Sequence, residues 1–258
     1  MQINKNKKIA IITGASSGFG VEFSKRIDSL REIEEIWLIA RREQKLLNTS
    51  KQLKNAKSLV IVSDLSSKEG ISKIKKLLEK EKPEVKFLIN NAGFGKTEKF
   101  EYSDDDYNEK MIDVNVKAQV MVTKLVLPYM SEGSYIANVA SSAAYAPLPY
   151  FAVYAASKAF ILSFSYSLKE ELRHKNISVT AVCPGPAGTE FFKSVKGNKV
   201  NGLSIRDPKL VIRKAMVDIL KRRSVSVYGL DMNLLRIISK LLPRKILAYF
   251  SSKVKLPD

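Results

Sequence analysis

The chain has 258 residues, 45% hydrophobic and 27% charged, with a formal net charge of +18; that is long enough for one sizeable core, and too apolar for a disordered protein. One cysteine, Cys183, excludes an intrachain disulfide framework, and one histidine, His174, excludes a His-cluster metal site or a triad needing a second imidazole. The cations are scattered from Lys5 to Lys255 rather than gathered with interleaved aromatics, so the expected surface is lysine-rich and solvated, with no nucleic-acid partner.

The N-terminus is polar and no run of 18 apolar residues follows anywhere, so the expectation is a cytoplasmic protein without a transmembrane helix. Ile9–Ile12 is an unbroken apolar run, as in a strand buried on both faces. Thr13-Gly14-Ala15-Ser16-Ser17-Gly18-Phe19-Gly20 follows, and Val21–Leu30 reads as a helix. Strand, glycine-rich turn and helix either cradle a pyrophosphate at the helix N-terminus or make a tight structural turn. Ile36–Ile39 is a second strand, ending in Ala40-Arg41-Arg42. No carboxylate stands here to take a ribose 2′-hydroxyl, and guanidinium suits a 2′-phosphate, which favours NADPH over NADH. The alternative is that both arginines only open the next helix, where the dipole disfavours cations.

Glu43–Lys54 reads as a helix and Leu59–Val62 as a third strand, delivering Asp64 and Leu65 at its carboxyl end. Asp64 either accepts from an adenine amino group or caps the helix that runs to Glu81. Val85–Ile89, the fourth strand, ends in Asn90-Asn91-Ala92-Gly93, small residues suited to close approach of a ligand. Ser103 is the expected N-cap of the next helix, with Asp104–Asp106 in its positive first turn rather than at a metal. That helix runs towards Pro128 and holds Asn115 among valines, as a functional polar group or a kink.

Tyr135–Ala140 is a fifth strand and presents Ser141. A helix from about Val153 to Arg173 follows, placing Tyr154 and Lys158 four apart on one face. The ammonium is expected to favour phenolate and lower the tyrosine's pKa, and the Ser141 hydroxyl could share one substrate oxygen with the phenol. Ile177–Val182 and Val225–Tyr228 are the last strands, and Asp207-Pro208 starts a helix to Leu220.

These motifs resemble, in order and spacing, the short-chain dehydrogenase/reductase family over residues 7 to 230. The resemblance implies a Rossmann-type doubly wound parallel sheet of about seven strands with three helices on each face, over residues 1–230. It implies a catalytic tetrad of Asn115, Ser141, Tyr154 and Lys158. Ser141, thirteen residues before the tyrosine, is preferred to Ser142. It implies an NADP site lined by Gly14, Ser16, Ser17, Gly18, Phe19, Gly20, Arg41, Asp64, Leu65, Asn91, Ala92, Gly93, Pro184, Gly185 and Thr189, together with Tyr154 and Lys158. In that scheme Tyr154 is the acid, Lys158 also bonds the nicotinamide ribose, Asn115 anchors a water and Thr189 holds the carboxamide. Ala187 departs from the more usual Val or Ile.

The expected substrate is a hydrophobic ketone or 3-oxoacyl-type carbonyl against Phe94, Leu148, Tyr150, Phe191 and Phe192, under a lid from Pro186 to about Arg206. A homodimer or homotetramer is the family analogy; a cofactor-binding regulator without turnover is the alternative. Residues 231–258 form an amphipathic helical extension resembling the tail of a bacterial DltE-like subgroup. It packs over the substrate mouth or a partner subunit, or touches anionic lipid.

Overall fold

The computed structural model of the chain describes residues 6–192, 199–200 and 203–253. Strands β1 (Lys8–Thr13), β2 (Glu35–Ala40), β3 (Lys57–Val62), β4 (Glu84–Asn90), β5 (Tyr135–Val139) and β6 (Ser178–Val182) form where the apolar runs lie. A separate antiparallel pair, β7 (Lys199–Val200) and β8 (Leu203–Ser204), precedes β9 (Val225–Ser226). The main sheet has seven strands in the order β3-β2-β1-β4-β5-β6-β9, and every pairing in it is parallel. The chain therefore builds outwards from β1 to β3, then returns to place β4 against β1. Ligands of such sheets bind at the carboxyl ends beside this reversal.

The central strands carry apolar residues on both faces because both sheet faces are covered. Ala10 and Ile12 of β1 face one cluster; Ile9 and Ile11 face the other. The first cluster takes in α1 (Gly18–Asp28), α2 (Glu43–Ser50) and α7 (Pro208–Leu220), through Phe23, Leu46 and Ala215. The second takes in α3 (Lys68–Glu81), through Ile74 and Leu78, and the helices that follow β4 and β5. Trp37 is fully buried in this second cluster, its indole N–H donating to Glu35 at 2.8 Å.

Local capping sets several boundaries. Ser67 caps α3 by accepting from the Gly70 N–H, and Asp207 caps α7 by accepting from Lys209. The cap of α4 (Asp105–Ile112) is Asp104, not the expected Ser103. Asp104 accepts from the Tyr107 N–H at 2.7 Å, while the Ser103 hydroxyl is engaged by the Phe100 carbonyl and the Asn108 amide. The helix towards Pro128 is not uniform either. Between α4 and α5 (Gln119–Val126) it opens into a π turn, Asp113–Ala118, centred on Asn115; such wide turns are frequent at functional sites.

Helix α6 (Ala152–Glu171) follows β5. Beyond β9 come α8 (Leu230–Leu241) and α9 (Arg244–Ser252). Asp231 pairs with Arg206 at 2.6 Å, and Met232 packs against Gly185, where a Cβ would lie 2.6 Å from its sulfur. Among the described residues no helix is long and apolar enough to cross a membrane.

Candidate active site

One cleft of about 940 Å³ runs along the carboxyl edge of the sheet, from Arg41 and Arg42 to Tyr154 and on to α8. Its first wall is the turn after β1. Gly14 has φ +66° and Gly18 φ +53°, which side chains rarely adopt, and a Cβ on Gly14 would lie 2.9 Å from the Ala92 Cα. Ser17, before α1, makes no side-chain cap bond, so the first amides of the helix are left for a ligand at the cleft. Ser16, Ser17, Phe19, Asp64, Leu65, Asn91, Ala92, Gly93, Pro184, Gly185 and Thr189 all line the cleft. This backbone cradle fits a dinucleotide pyrophosphate.

Gly20 is the exception among the predicted cofactor residues. It does not line the cleft; a Cβ there would sit 2.2 Å from the Gly14 carbonyl oxygen, so it lets helix and turn touch. Gly20→Ala is expected to cost about 1–3 kcal/mol by overpacking, read as a lowered thermal midpoint together with weakened nucleotide binding.

The turn is tied to β4 by Asn91, whose amide donates to the carbonyls of Thr13 (3.0 Å) and Gly14 (3.2 Å). The Thr13 hydroxyl accepts in return from the N–H groups of Asn91 and Ala92. Asp64 accepts from the N–H and hydroxyl of Ser66 at the head of the next turn. Burial pushes its carboxyl up, but those bonds and the Arg41 charge outweigh it, and the net shift is down.

Both arginines line the cleft, Arg41 as expected, and Arg42 is tied to the glycine-rich turn. Its guanidinium donates to the hydroxyls of Ser16 (3.1 Å) and Ser17 (2.9 Å) and to Glu190 (2.8 Å). Lys45 meets the same carboxylate at 2.5 Å. Bonds from Lys45 and Arg42 hold the Glu190 carboxyl down at about 2. Lys45 and Glu190 carried no recognisable signal in the sequence, because only the fold brings the chain after β6 to α2.

The second half of the cleft holds the polar quartet. Tyr154 and Lys158 lie on one face of α6, with Nζ 5.5 Å from the phenol ring centroid. Ser141, extended at the end of β5, accepts from the Ala143 N–H (3.1 Å) and shares a hydrogen bond with Tyr154. Lys158 is 3% exposed and donates to the Val139 carbonyl at 3.0 Å. The expected lowering of the tyrosine's pKa is not found. Burial pushes the Tyr154 phenol up to about 12 against the Ser141 bond, and burial brings Lys158 down to about 8. Desolvation favours the neutral form of each, and the lysine spends its hydrogen bond on the backbone.

Asn115 is wholly buried and does not line the cleft. Its Oδ1 accepts from the Phe94 N–H (3.0 Å), and its amide donates to the Phe94 carbonyl (2.9 Å) and to the Ser157 hydroxyl (3.1 Å). Both amide hydrogens are thus taken, and the side chain clamps the chain after β4. Gly93 fits beneath it: a Cβ there would meet Asn115 Oδ1 at 3.0 Å and Lys158 Nζ at 3.1 Å.

Phe94, Leu148 and Phe191 line the cleft as expected, but Tyr150 does not. Tyr150 has φ +64° and is exposed, so its neighbours Pro149 and Phe151 take its place at the wall. Phe151 stacks on Tyr154, centroids 4.2 Å apart, and Phe191 lies 5.4 Å from the same ring. Gly95 closes the stack; a Cβ there would lie 2.5 Å from the Tyr154 ring. The Phe192 side chain, and the expected lid at 193–198 and 201–202, lie outside the described residues. Among the described residues no His, Cys, Asp and Glu group could hold a metal. Cys183 is packed and buried, and burial lifts its thiol to about 11.

Known proteins resemble this chain in sequence and in fold. A sulfoacetaldehyde reductase of Chromohalobacter salexigens is 36% identical over 192 residues, 71% of this chain and 74% of the relative. Human estradiol 17-beta-dehydrogenase 11 is 28% identical over 256 residues, 96% of this chain and 84% of the relative. Two solved structures superpose along almost the whole length. A Sphingobium yanoikuyae short-chain dehydrogenase in complex with NADPH has TM-score 0.78 and 22% identity, covering 97% of this chain and 98% of its own. A Burkholderia phymatum enzyme in complex with NAD has TM-score 0.78 and 21% identity, covering 100% and 99%. The family model for short chain dehydrogenases matches residues 8–199, and the chain belongs to that family of oxidoreductases, which act on the CH–OH/C=O couple.

Proposed function

We propose that the protein is an NADPH-dependent reductase of a hydrophobic ketone or 3-oxoacyl-type carbonyl, and in reverse an alcohol dehydrogenase. One observation carries this reading. The Tyr154 hydroxyl, hydrogen-bonded with Ser141 and backed by buried Lys158, opens on a cleft whose apolar lining includes Phe94, Leu148, Phe151 and Phe191. Apolar walls with a few convergent polar groups suit an apolar carbonyl. When bound, the nicotinamide supplies the hydride. As the carbonyl π bond breaks, charge grows on its oxygen; Tyr154 passes that oxygen its proton and Ser141 donates a hydrogen bond to it. Lys158 and Asn115 position the site, the first beside the phenol and the second by clamping the Phe94 backbone.

The preference for NADPH rests on Arg41 and Arg42, with Lys45, at the end of a strand that offers Ala40 and no carboxylate. Arg42→Ala is expected to weaken NADPH binding about 10- to 100-fold, the worth of a lost charge-assisted bond, and to leave NADH binding within about twofold. Titration calorimetry with both cofactors measures this; equal loss for both would remove Arg42 as the selector.

A substrate screen following NADPH oxidation over hydrophobic ketones and 3-oxoacyl thioesters tests the whole reading. Cofactor binding without turnover on any carbonyl would favour a regulatory protein of the same fold. We infer a cytoplasmic homodimer or homotetramer, supported by exposed Ile112 and Met121 beside the π turn and Phe160 and Tyr166 on α6; sedimentation equilibrium measures it. The kinship of the tail to the DltE-like subgroup stays a resemblance.

A further inference from the structure

The last two helices each bury one side and leave the other apolar and uncovered. In α8, Met232 is buried and Leu235 and Ile238 line the cleft, while Leu230, Leu234, Ile237 and Leu241 are exposed, at 90%, 57%, 56% and 76%. Their spacing of four, three and four makes one stripe along the helix. In α9, Leu247 is buried, while Ile246, Tyr249 and Phe250 form a second exposed stripe. Apolar surface of this extent on a water-facing helix marks an interaction site.

The charge around the stripes says what covers them. From Met232 to Lys253 the chain carries Arg236, Lys240, Arg244, Lys245 and Lys253 and not one Asp or Glu. Four of these, all but Arg236, are exposed. A second copy meeting this face about a two-fold axis would set those cations against themselves, on a chain already at +18. Anionic lipid answers both features at once, taking the apolar stripes at the acyl boundary and the cations at the headgroups.

We propose that the α8–α9 face docks on an anionic bilayer surface. Leu234 belongs both to the exposed stripe and to the cleft wall, so the docked face is the rim of the cleft, and an apolar carbonyl passes from lipid to Tyr154 along Leu234, Leu235 and Ile238. That route rests on the carbonyl-reductase reading; the docking does not.

Flotation of the full chain with vesicles separates the two, because it needs no turnover. The probes are phosphatidylcholine vesicles with and without about 30% phosphatidylserine. The expected result is binding to the anionic vesicles, weakened by salt, and much less to the neutral ones. Lys240→Ala/Lys245→Ala is expected to lower the partition constant roughly 25-fold, about fivefold per cation. Ile237→Ser/Leu241→Ser, outside the cleft, is expected to lower it at least about tenfold with cofactor binding and thermal midpoint retained. No flotation with anionic vesicles overturns the proposal, as does flotation that neither pair of substitutions weakens. A face that instead joins two copies would show as a dimer-to-monomer change in the Ile237/Leu241 variant by sedimentation, and that too overturns it.

Discussion

Tyr154→Phe is expected to lower kcat for carbonyl reduction by about 10²- to 10⁴-fold, the range in which a positioned proton donor contributes, while NADPH still binds. The substitution keeps the ring, so the stack with Phe151 at 4.2 Å and the packing against Gly95 survive. Only the donated proton and the Ser141 bond are lost. The direction of the reaction enters through the pKa. With the phenol raised to about 12, Tyr154 holds its proton through neutral pH and is loaded for reduction. Alcohol oxidation needs the phenolate, so the wild-type oxidation rate should climb with pH where reduction does not. Parallel pH profiles of the two directions check this, and a Phe variant with unchanged kcat would end the assignment of Tyr154 as acid.

Lys158→Met is expected to do two opposite things. Turnover should fall at least about 10²-fold, because the ammonium beside the phenol is removed. The unliganded protein, however, should become more stable at pH 7. Lys158 is buried and its value falls from the ordinary 10.5 to about 8, which sets about 3 kcal/mol against the charged form. The unfolded chain binds this proton more readily than the folded one between about pH 8 and 10.5. Stability therefore rises with pH across that window, and the burial penalty stands in full below it. Losing the bond to the Val139 carbonyl offsets part of the gain. A net gain of about 1–2 kcal/mol, or roughly 2–8 °C in thermal midpoint, is expected at pH 7. The midpoint of the variant should also lose the wild-type rise between pH 8 and 9.5. A variant less stable than wild type at pH 7 would contradict the account of Lys158 as a desolvated charge.

Much of this architecture was legible in the residues. Unbroken apolar runs at β1 and β2 read as strands covered on both faces, and a period of four puts Tyr154 beside Lys158 whatever the rest of the fold. Glycines at 14 and 18 announced a backbone cradle because no side chain tolerates those φ values cheaply. What was not legible depends on contacts distant in sequence. Asn115 was visible as a polar residue among valines, but not the π turn around it or its pairing with Phe94, 21 residues earlier. The sign of the Tyr154 shift was misread because spacing reports the neighbouring charge and is silent about burial, which here dominates. Tyr150 was a reasonable wall residue until its left-handed backbone turned it out and gave the wall to Phe151. Arg41 and Arg42 were indistinguishable from one strand end; only the turn at Ser16–Ser17 and the distant Glu190 separate them.

That Glu190 contact changes what affinity means at this end of the cleft. A phosphate arriving at Arg42 does not meet two bare cations. It meets a guanidinium and an ammonium that already share one carboxylate, which leaves a single net positive charge. An arriving phosphate would compete with that carboxylate for the two cations, which offsets part of its gain. Salt screens the departing partner as well as the arriving one, and the site is correspondingly less sensitive to ionic strength than its count of positive charges suggests.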